Sequence, residues 1–226
     1  MKSEIMKFFK LTNKRDLIEA AVAVAIFFII SYLSRFVTPL FGLVVLSGII
    51  FPLIWAKVKK DWNLIGFTKK STGKAFLWGL GSGVVIFIYL LFDGFKSMPV
   101  FTDMLGLKLA VNIPAWIIIV SPFQEFFFRG WLQTKLQKSI GKWSGFVVAS
   151  FVFTLWHYLP PFEGTSTSNI SIYSISGFFT VLVFGFIWGF VYLISNNNII
   201  APWVSHTLAG IVVVLTGKWS ILQISS

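Results

Sequence analysis

The sequence predicts an all-α protein, a polytopic membrane helical bundle of about seven transmembrane helices. Hydrophobic residues make up 56% of the 226 residues, and the mean hydropathy is +0.83. Charged residues make up only 12%, about half the share of a soluble domain. Several apolar runs also reach the roughly 17–25 residues that a helix needs to cross a bilayer. These three observations indicate a single integral membrane domain over residues 1–226.

Seven apolar runs are candidate spans. They cover approximately residues 17–36, 39–56, 75–92, 109–130, 143–160, 175–195 and 199–217. The first run comes after a basic segment, and no convincing small-residue cleavage site follows it. We therefore expect a retained span rather than a signal peptide. The fourth contains Pro114 and Pro122 and continues into residues 131–138. Residues 139–142 predict a turn that joins the fourth span to the fifth.

Pairs of glycines four residues apart recur at three places in the chain. Such small-xxx-small patterns let two helices approach closely, so we expect them to mark helix packing. The pairs are Gly79 and Gly83, Gly141 and Gly145, and Gly185 and Gly189.

The distribution of lysine and arginine predicts the orientation. Residues 2–15, 57–74 and 129–142 hold all but four of the 19 basic residues, and these segments share one side of the predicted topology. Cytoplasmic segments are the basic ones in membrane proteins, so the N-terminus is expected in the cytoplasm, most simply at the plasma membrane.

The composition also bounds the partners and cofactors. The chain has no cysteine, which excludes disulfides and thiolate metal sites, and its two histidines cannot form a histidine-rich metal cage. The net charge of +11 would suggest nucleic acid on a soluble protein, but here basic loops facing anionic lipid explain it. We therefore expect membrane lipid as a partner and no nucleic acid, and the oligomeric state stays open.

A few polar residues inside the apolar runs are the candidate functional residues. Glu125 and Arg129 are four residues apart, so they share a helix face and can form an ion pair, which alone favours a structural role. Gln124 points about 100° away from Glu125 around the helix. If the turn is centred on Gly141, Glu125 and His157 lie at similar depth in an antiparallel hairpin.

The second histidine, His206, lies about two turns inside a span that opens with three asparagines and Pro202. A single histidine in a membrane helix is more often a packing residue, but two with a carboxylate favour a functional site. A carboxylate can activate water, and imidazoles can orient it, stabilise an oxyanion or bind a metal. The same groups could instead relay protons in a transporter.

The order and spacing of three motifs resemble a known family. Gln124-Glu-x-x-x-Arg129-Gly, then Phe153-x-x-x-His157, then the proline-opened helix with His206 are similar to the CPBP (CAAX protease and bacteriocin-processing, or Abi) intramembrane proteases. The resemblance covers residues 110–215 and implies a helical bundle with a buried polar site.

The resemblance also implies residue roles. The family's first motif is normally Glu-Glu-x-x-x-Arg, whose first Glu works with the histidine that matches His157. The histidine that matches His206 stabilises the oxyanion with an Asn or Asp four residues later. Here Gln124 replaces the first Glu, and Gly210 replaces the Asn or Asp. An amide can hold a water molecule but cannot take its proton.

Three hypotheses follow from these residues. The first is an intramembrane endopeptidase that cleaves a hydrophobic or membrane-associated peptide with Glu125, His157, His206 and Gln124. The second is a catalytically silent relative that binds peptide, as in bacteriocin immunity, and the third is a small proton-coupled transporter. The sequence identifies no certain cofactor; a divalent metal is possible, with three ligands at most and no HExxH motif.

Overall fold

The computed structural model describes residues 12–94, 105–160 and 174–215. Within these ranges the chain forms seven helices, which correspond in order to the seven predicted spans. They are α1 (Lys14–Leu33), α2 (Pro39–Lys59), α3 (Thr72–Tyr89), α4 (from Leu105 to Ile140), α5 (Lys142–Trp156), α6 (Ile175–Ile194) and α7 (Ile200–Leu215). The described ranges contain no strand, so the all-α helical bundle is confirmed.

Five of the helices are long and apolar enough to cross a membrane, namely α1, α2, α3, α4 and α6. One is shorter than predicted: α5 has 15 residues, which at 1.5 Å per residue is several ångströms less than a 30 Å hydrocarbon layer. Helix α7 is described as far as Leu215, within the predicted span 199–217. The predicted fifth span, 143–160, is wrong at its end, because the helix stops at Trp156 and the chain turns through His157.

Helix α4 is the centre of the bundle. Every residue from Ser121 to Leu136 is buried, so this stretch is covered on all sides by other helices rather than exposing one face to lipid. Apolar groups on α1, α2, α5 and α6 form the cover, and Phe127, Phe128 and Trp131 fill the space between them. The remaining helices therefore expose most of the surface that faces the membrane.

The central helix is not regular. Two π-helical segments, Trp116–Val120 and Phe126–Gln133, flank the α-helical turn Ser121–Glu125. The first π segment lies between Pro114 and Pro122, residues that cannot donate a backbone hydrogen bond, and so the helix widens instead of ending. Segments of π-helix inside an α-helix are frequent at functional sites.

Glycines bring the surrounding helices together at close range, as the small-xxx-small patterns predict. A Cβ on Gly79 of α3 would lie 2.5 Å from the carbonyl oxygen of Ala201 in α7, and one on Gly83 would lie 2.6 Å from Cδ1 of Leu208. The predicted turn is also present: Gly141 separates α4 from α5 with a φ of 96°, which favours glycine.

Gly79 gives a matched test of this packing. Gly79→Ala is expected to lower the free energy of unfolding by about 1–3 kcal/mol, because the new methyl group meets backbone that cannot move aside. The control is Gly81→Ala in the same helix, where a Cβ meets nothing within 4 Å. Thermal unfolding in detergent compares the two variants; equal midpoints would contradict the close approach of α3 and α7.

Candidate active site

A buried carboxylate and a buried imidazole form the centre of the site. Glu125 ends the α-helical turn of α4, and its Oε1 lies 2.7 Å from Nδ1 of His206 in α7. The carboxylate is fully buried and the imidazole nearly so. Because a carboxylate oxygen accepts, Nδ1 of His206 carries the hydrogen, and the lone pair of the neutral ring lies on Nε2.

Arg129, the arginine of the first motif, also contacts the carboxylate of Glu125, at a longer distance than His206 does. Nε of Arg129 lies 3.6 Å from Oε2 of Glu125, and both side chains are fully buried. The guanidinium carbon also lies 4.3 Å from the ring centre of Phe153. None of the three guanidinium nitrogens has a hydrogen-bond partner within the described ranges. The predicted pair is present, but histidine is the closer partner of Glu125.

Three residues that sequence reasoning did not assign to the site hold His206 in place. The indole of Trp188 in α6 stacks on the imidazole with ring centres 3.9 Å apart and planes 13° apart. Its Nε1 donates to Oγ of Ser205, 3.1 Å away, and Ser82 of α3 lies 2.9 Å from the same oxygen. Three helices thus determine the orientation of one imidazole.

The second histidine lies where α5 ends. Nδ1 of His157 lies 2.9 Å from the carbonyl oxygen of Phe153, so it is the donor and Nε2 carries the lone pair. The ring packs edge-on against Phe153 and Trp156, with centroid distances of 4.5 and 4.9 Å. Phe153 therefore contacts both His157 and Arg129.

The chain segment after His157 is held by Arg35, one of the four basic residues outside the three predicted cytoplasmic segments. Arg35 follows α1 and donates from Nε to the carbonyl of Leu159 at 2.8 Å and from Nη2 to that of Tyr158 at 3.1 Å. Basic side chains commonly satisfy carbonyl groups at the end of a helix in this way. The sequence offers no local signal for this contact, because 123 or more residues separate the partners.

Gln124 lies beside Glu125 in the α-helical turn and is 6% exposed. Its Oε1 has no hydrogen-bond partner among the described residues. A buried amide oxygen is an acceptor for a water O–H or a peptide N–H, but it takes no proton at neutral pH. The side chain can therefore position a reactant without serving as the base.

Gly210, one turn after His206, has its space taken by another residue. A Cβ at this position would overlap the indole of Trp116 from the first π segment of α4, with Cε2 only 2.6 Å away. The same indole lies 5.9 Å from the imidazole of His206, centre to centre. The indole of Trp116 therefore fills the space that a side chain at position 210 would need.

No metal site is formed by the described part of the chain, where no three His, Cys, Asp or Glu side chains are grouped to hold an ion. The donors at the centre are one carboxylate and two imidazoles, and Nδ1 of each imidazole already carries a hydrogen for another acceptor. The residues present do not fit a structural zinc site, which takes four protein ligands.

The arrangement brings together the residues that the three motifs predict. Glu125, Arg129 and His206 are in direct contact, and His157 joins them through Phe153. The set can hold a water molecule, accept its proton on an imidazole and keep a counter-charge nearby, which is the equipment of water-dependent bond cleavage.

Comparison with known proteins points to the same region. Residues 106–212 match a family model described as type II CAAX prenyl endopeptidase Rce1-like. The match contains all three motifs and confirms the resemblance stated from them. No curated protein and no solved structure matches the chain.

Proposed function

We propose, from the match of residues 106–212 to a family model described as type II CAAX prenyl endopeptidase Rce1-like, that this integral membrane protein is an intramembrane endopeptidase. Its substrate is a hydrophobic or membrane-associated peptide that reaches the buried polar site. The 2.7 Å contact between Glu125 and His206 carries the proposal, because a carboxylate that orients an imidazole is the arrangement that activates a nucleophile.

In the proposed reaction, water attacks the carbonyl carbon of the scissile peptide bond. Nε2 of His206 takes the proton from the attacking water, and Glu125 stabilises the imidazolium through Nδ1. Nε2 of His157 accepts a hydrogen bond from the second hydrogen of that water, and Oε1 of Gln124 accepts one from an N–H of the substrate peptide. When the C–N bond breaks, the imidazolium returns the proton to the leaving amine, so the residues end the cycle unchanged.

The orientation in the membrane is part of the proposal. The concentration of lysine and arginine in residues 2–15, 57–74 and 129–142 supports a cytoplasmic N-terminus and a location in the plasma membrane. Lys96 and Lys218, two of the four basic residues assigned to the other side, lie outside the described residues.

A second function is favoured by a specific observation. Gln124 cannot serve as a base, and Trp116 occupies the space of a polar side chain at 210. A catalytically silent peptide-binding protein, of the kind linked to bacteriocin immunity, would keep the same buried groove and the same histidines while lacking turnover.

One experiment separates the two functions. The purified full-length protein, reconstituted in lipid vesicles, is incubated with prenylated and unprenylated peptides, and cleavage is followed by mass spectrometry. We expect the native protein to cleave, and His157→Ala to cleave about 10²–10⁴-fold more slowly because a group that acts on the water is lost. Lys74→Ala, an exposed site on α3, is the control that retains activity.

The outcomes are distinct. Cleavage that is equal in the native protein and in His157→Ala would mark a contaminating protease and contradict the proposal. No cleavage by the native protein, together with cleavage by Gln124→Glu, would identify a silent relative with an intact scaffold. No cleavage by either folded protein would leave the peptide-binding function as the one to test by direct binding.

A further inference from the structure

A second polar region lies at the end of the bundle that carries the basic segments. A cavity of about 240 Å³ opens between the start of α1, the end of α2 and the second half of α4. Its lining includes none of the residues of the candidate active site. The cavity therefore requires an explanation of its own.

Basic side chains dominate the lining. Arg15, Lys59, Lys135 and Lys138 contribute four positive charges, and Asp16 and Glu19 contribute the only two negative ones. The cavity thus carries an excess of positive charge at neutral pH. Basic pockets between membrane helices are typical binding sites for lipid headgroups that carry phosphate.

Lys135 forms ion pairs with both acidic residues of the cavity, Asp16 and Glu19. Nζ of Lys135 lies 2.7 Å from Asp16 and 2.6 Å from Glu19, and it is almost fully buried over the ring of Trp55. Arg15 shares Glu19 at 3.0 Å. These contacts neutralise the acidic groups and hold α1 against α4.

The other two lysines keep their charge for a ligand. Within the described ranges neither Lys59 nor Lys138 forms an ion pair, and both are exposed. They approach the cavity from different helices, α2 and α4, so a single anion between them would be contacted from two sides.

A buried donor at the cavity wall also lacks an acceptor. Trp131 is 1% exposed and lines the cavity, and its Nε1 has no hydrogen-bond partner in the part of the chain that the structure describes. A buried N–H without a partner is costly, and an oxygen atom of a ligand would satisfy it. This observation is independent of the charges and points to an oxygen-rich ligand.

The surroundings indicate that the ligand is a lipid. Ile18 on α1 and Ile54 and Val58 on α2 are exposed, and each is adjacent in sequence to a residue that lines the cavity, so apolar surface is available to acyl chains on the same helices. Indole side chains such as those of Trp55 and Trp131 are typical of the membrane–water interface. Residues 1–11 of the chain carry three lysines and one glutamate, so their net charge is positive. A positively charged segment does not match a cavity with an excess of positive charge, so this segment is not the ligand that we expect.

We propose that this cavity binds the phosphate diester of an anionic phospholipid, with Lys59 and Lys138 contacting the phosphate and the Trp131 N–H donating to one of its oxygens. The site does not depend on the proposed peptidase activity. Because it joins α1 and α2 to α4, a bound lipid would stabilise the helix that also carries Glu125.

The test compares lipids on the full-length protein in a neutral detergent. Thermal unfolding and native mass spectrometry are measured with dioleoyl phosphatidylglycerol, with dioleoyl phosphatidylcholine and with inorganic phosphate. We expect only phosphatidylglycerol to be retained and to raise the unfolding midpoint, an effect that weakens as salt concentration rises. The double variant Lys59→Gln/Lys138→Gln is expected to lose about tenfold or more in affinity for phosphatidylglycerol.

Matched variants make the result specific. Lys57→Gln/Lys69→Gln removes the same charge from exposed lysines outside the cavity and should keep the native affinity. Trp131→Phe keeps an aromatic ring but loses the N–H, and should weaken binding severalfold. Equal retention of both lipids, equal stabilisation by inorganic phosphate, or equal loss in the control double variant would each overturn the proposal.

Discussion

Glu125→Gln is expected to lower the rate of peptide cleavage by about 10²–10⁴-fold, since the amide can no longer stabilise an imidazolium at His206. The same change is expected to lower the free energy of unfolding by about 3–5 kcal/mol. Arg129 is fully buried, and Glu125 is the carboxylate that lies beside it. Removing one member of a buried pair leaves the other charge uncompensated.

A second substitution separates these two effects. Glu125→Gln/Arg129→Met removes both charges and fills a similar volume, so the thermal midpoint in detergent should return toward the native value. Cleavage should stay lost in the double variant, because the carboxylate is still absent. If activity returned together with stability, Glu125 would be a structural residue and not a participant in the reaction.

Gly210→Asn is expected to destabilise the protein by several kcal/mol, although asparagine is the residue that the family resemblance expects at this position. The new side chain would overlap the indole of Trp116, and overpacking a rigid aromatic ring forces helices apart. The measurement is the change in thermal unfolding relative to the native protein in the same detergent.

Trp116→Ala supplies the partner variant. In the double variant Trp116→Ala/Gly210→Asn the amide has room. The loss in free energy of unfolding should therefore be smaller, by about 0.5–3 kcal/mol, than the sum of the losses in the two single variants. If the peptidase function is correct, the double variant should also cleave faster than Trp116→Ala alone, since an amide donor is then next to His206. Strictly additive stabilities would show that the two positions do not share one space.

Much of the candidate site follows from local patterns. Glu125 and Arg129 are four residues apart on one helix, and a glycine turn returns the chain so that His157 joins the same region. Trp188 could not be found in this way. It lies within the glycine pattern of α6, which indicates only packing, and its contact with His206 depends on how two helices rotate against each other.

The sequence by itself determined the fold class, the number and order of the helices, the turn at Gly141 and the resemblance of residues 110–215 to a family of intramembrane proteases. These features depend on the length of the apolar segments and on the spacing of residues within them. Each can therefore be read from one stretch of sequence without its neighbours in space. Only the tertiary structure decided that His206, 81 residues away, is the closest partner of Glu125, that Trp116 fills the space at Gly210, and that α4 widens into π turns. Such contacts arise from the rotation and close packing of neighbouring helices, which are set by complementary shapes across the bundle and not by any single segment.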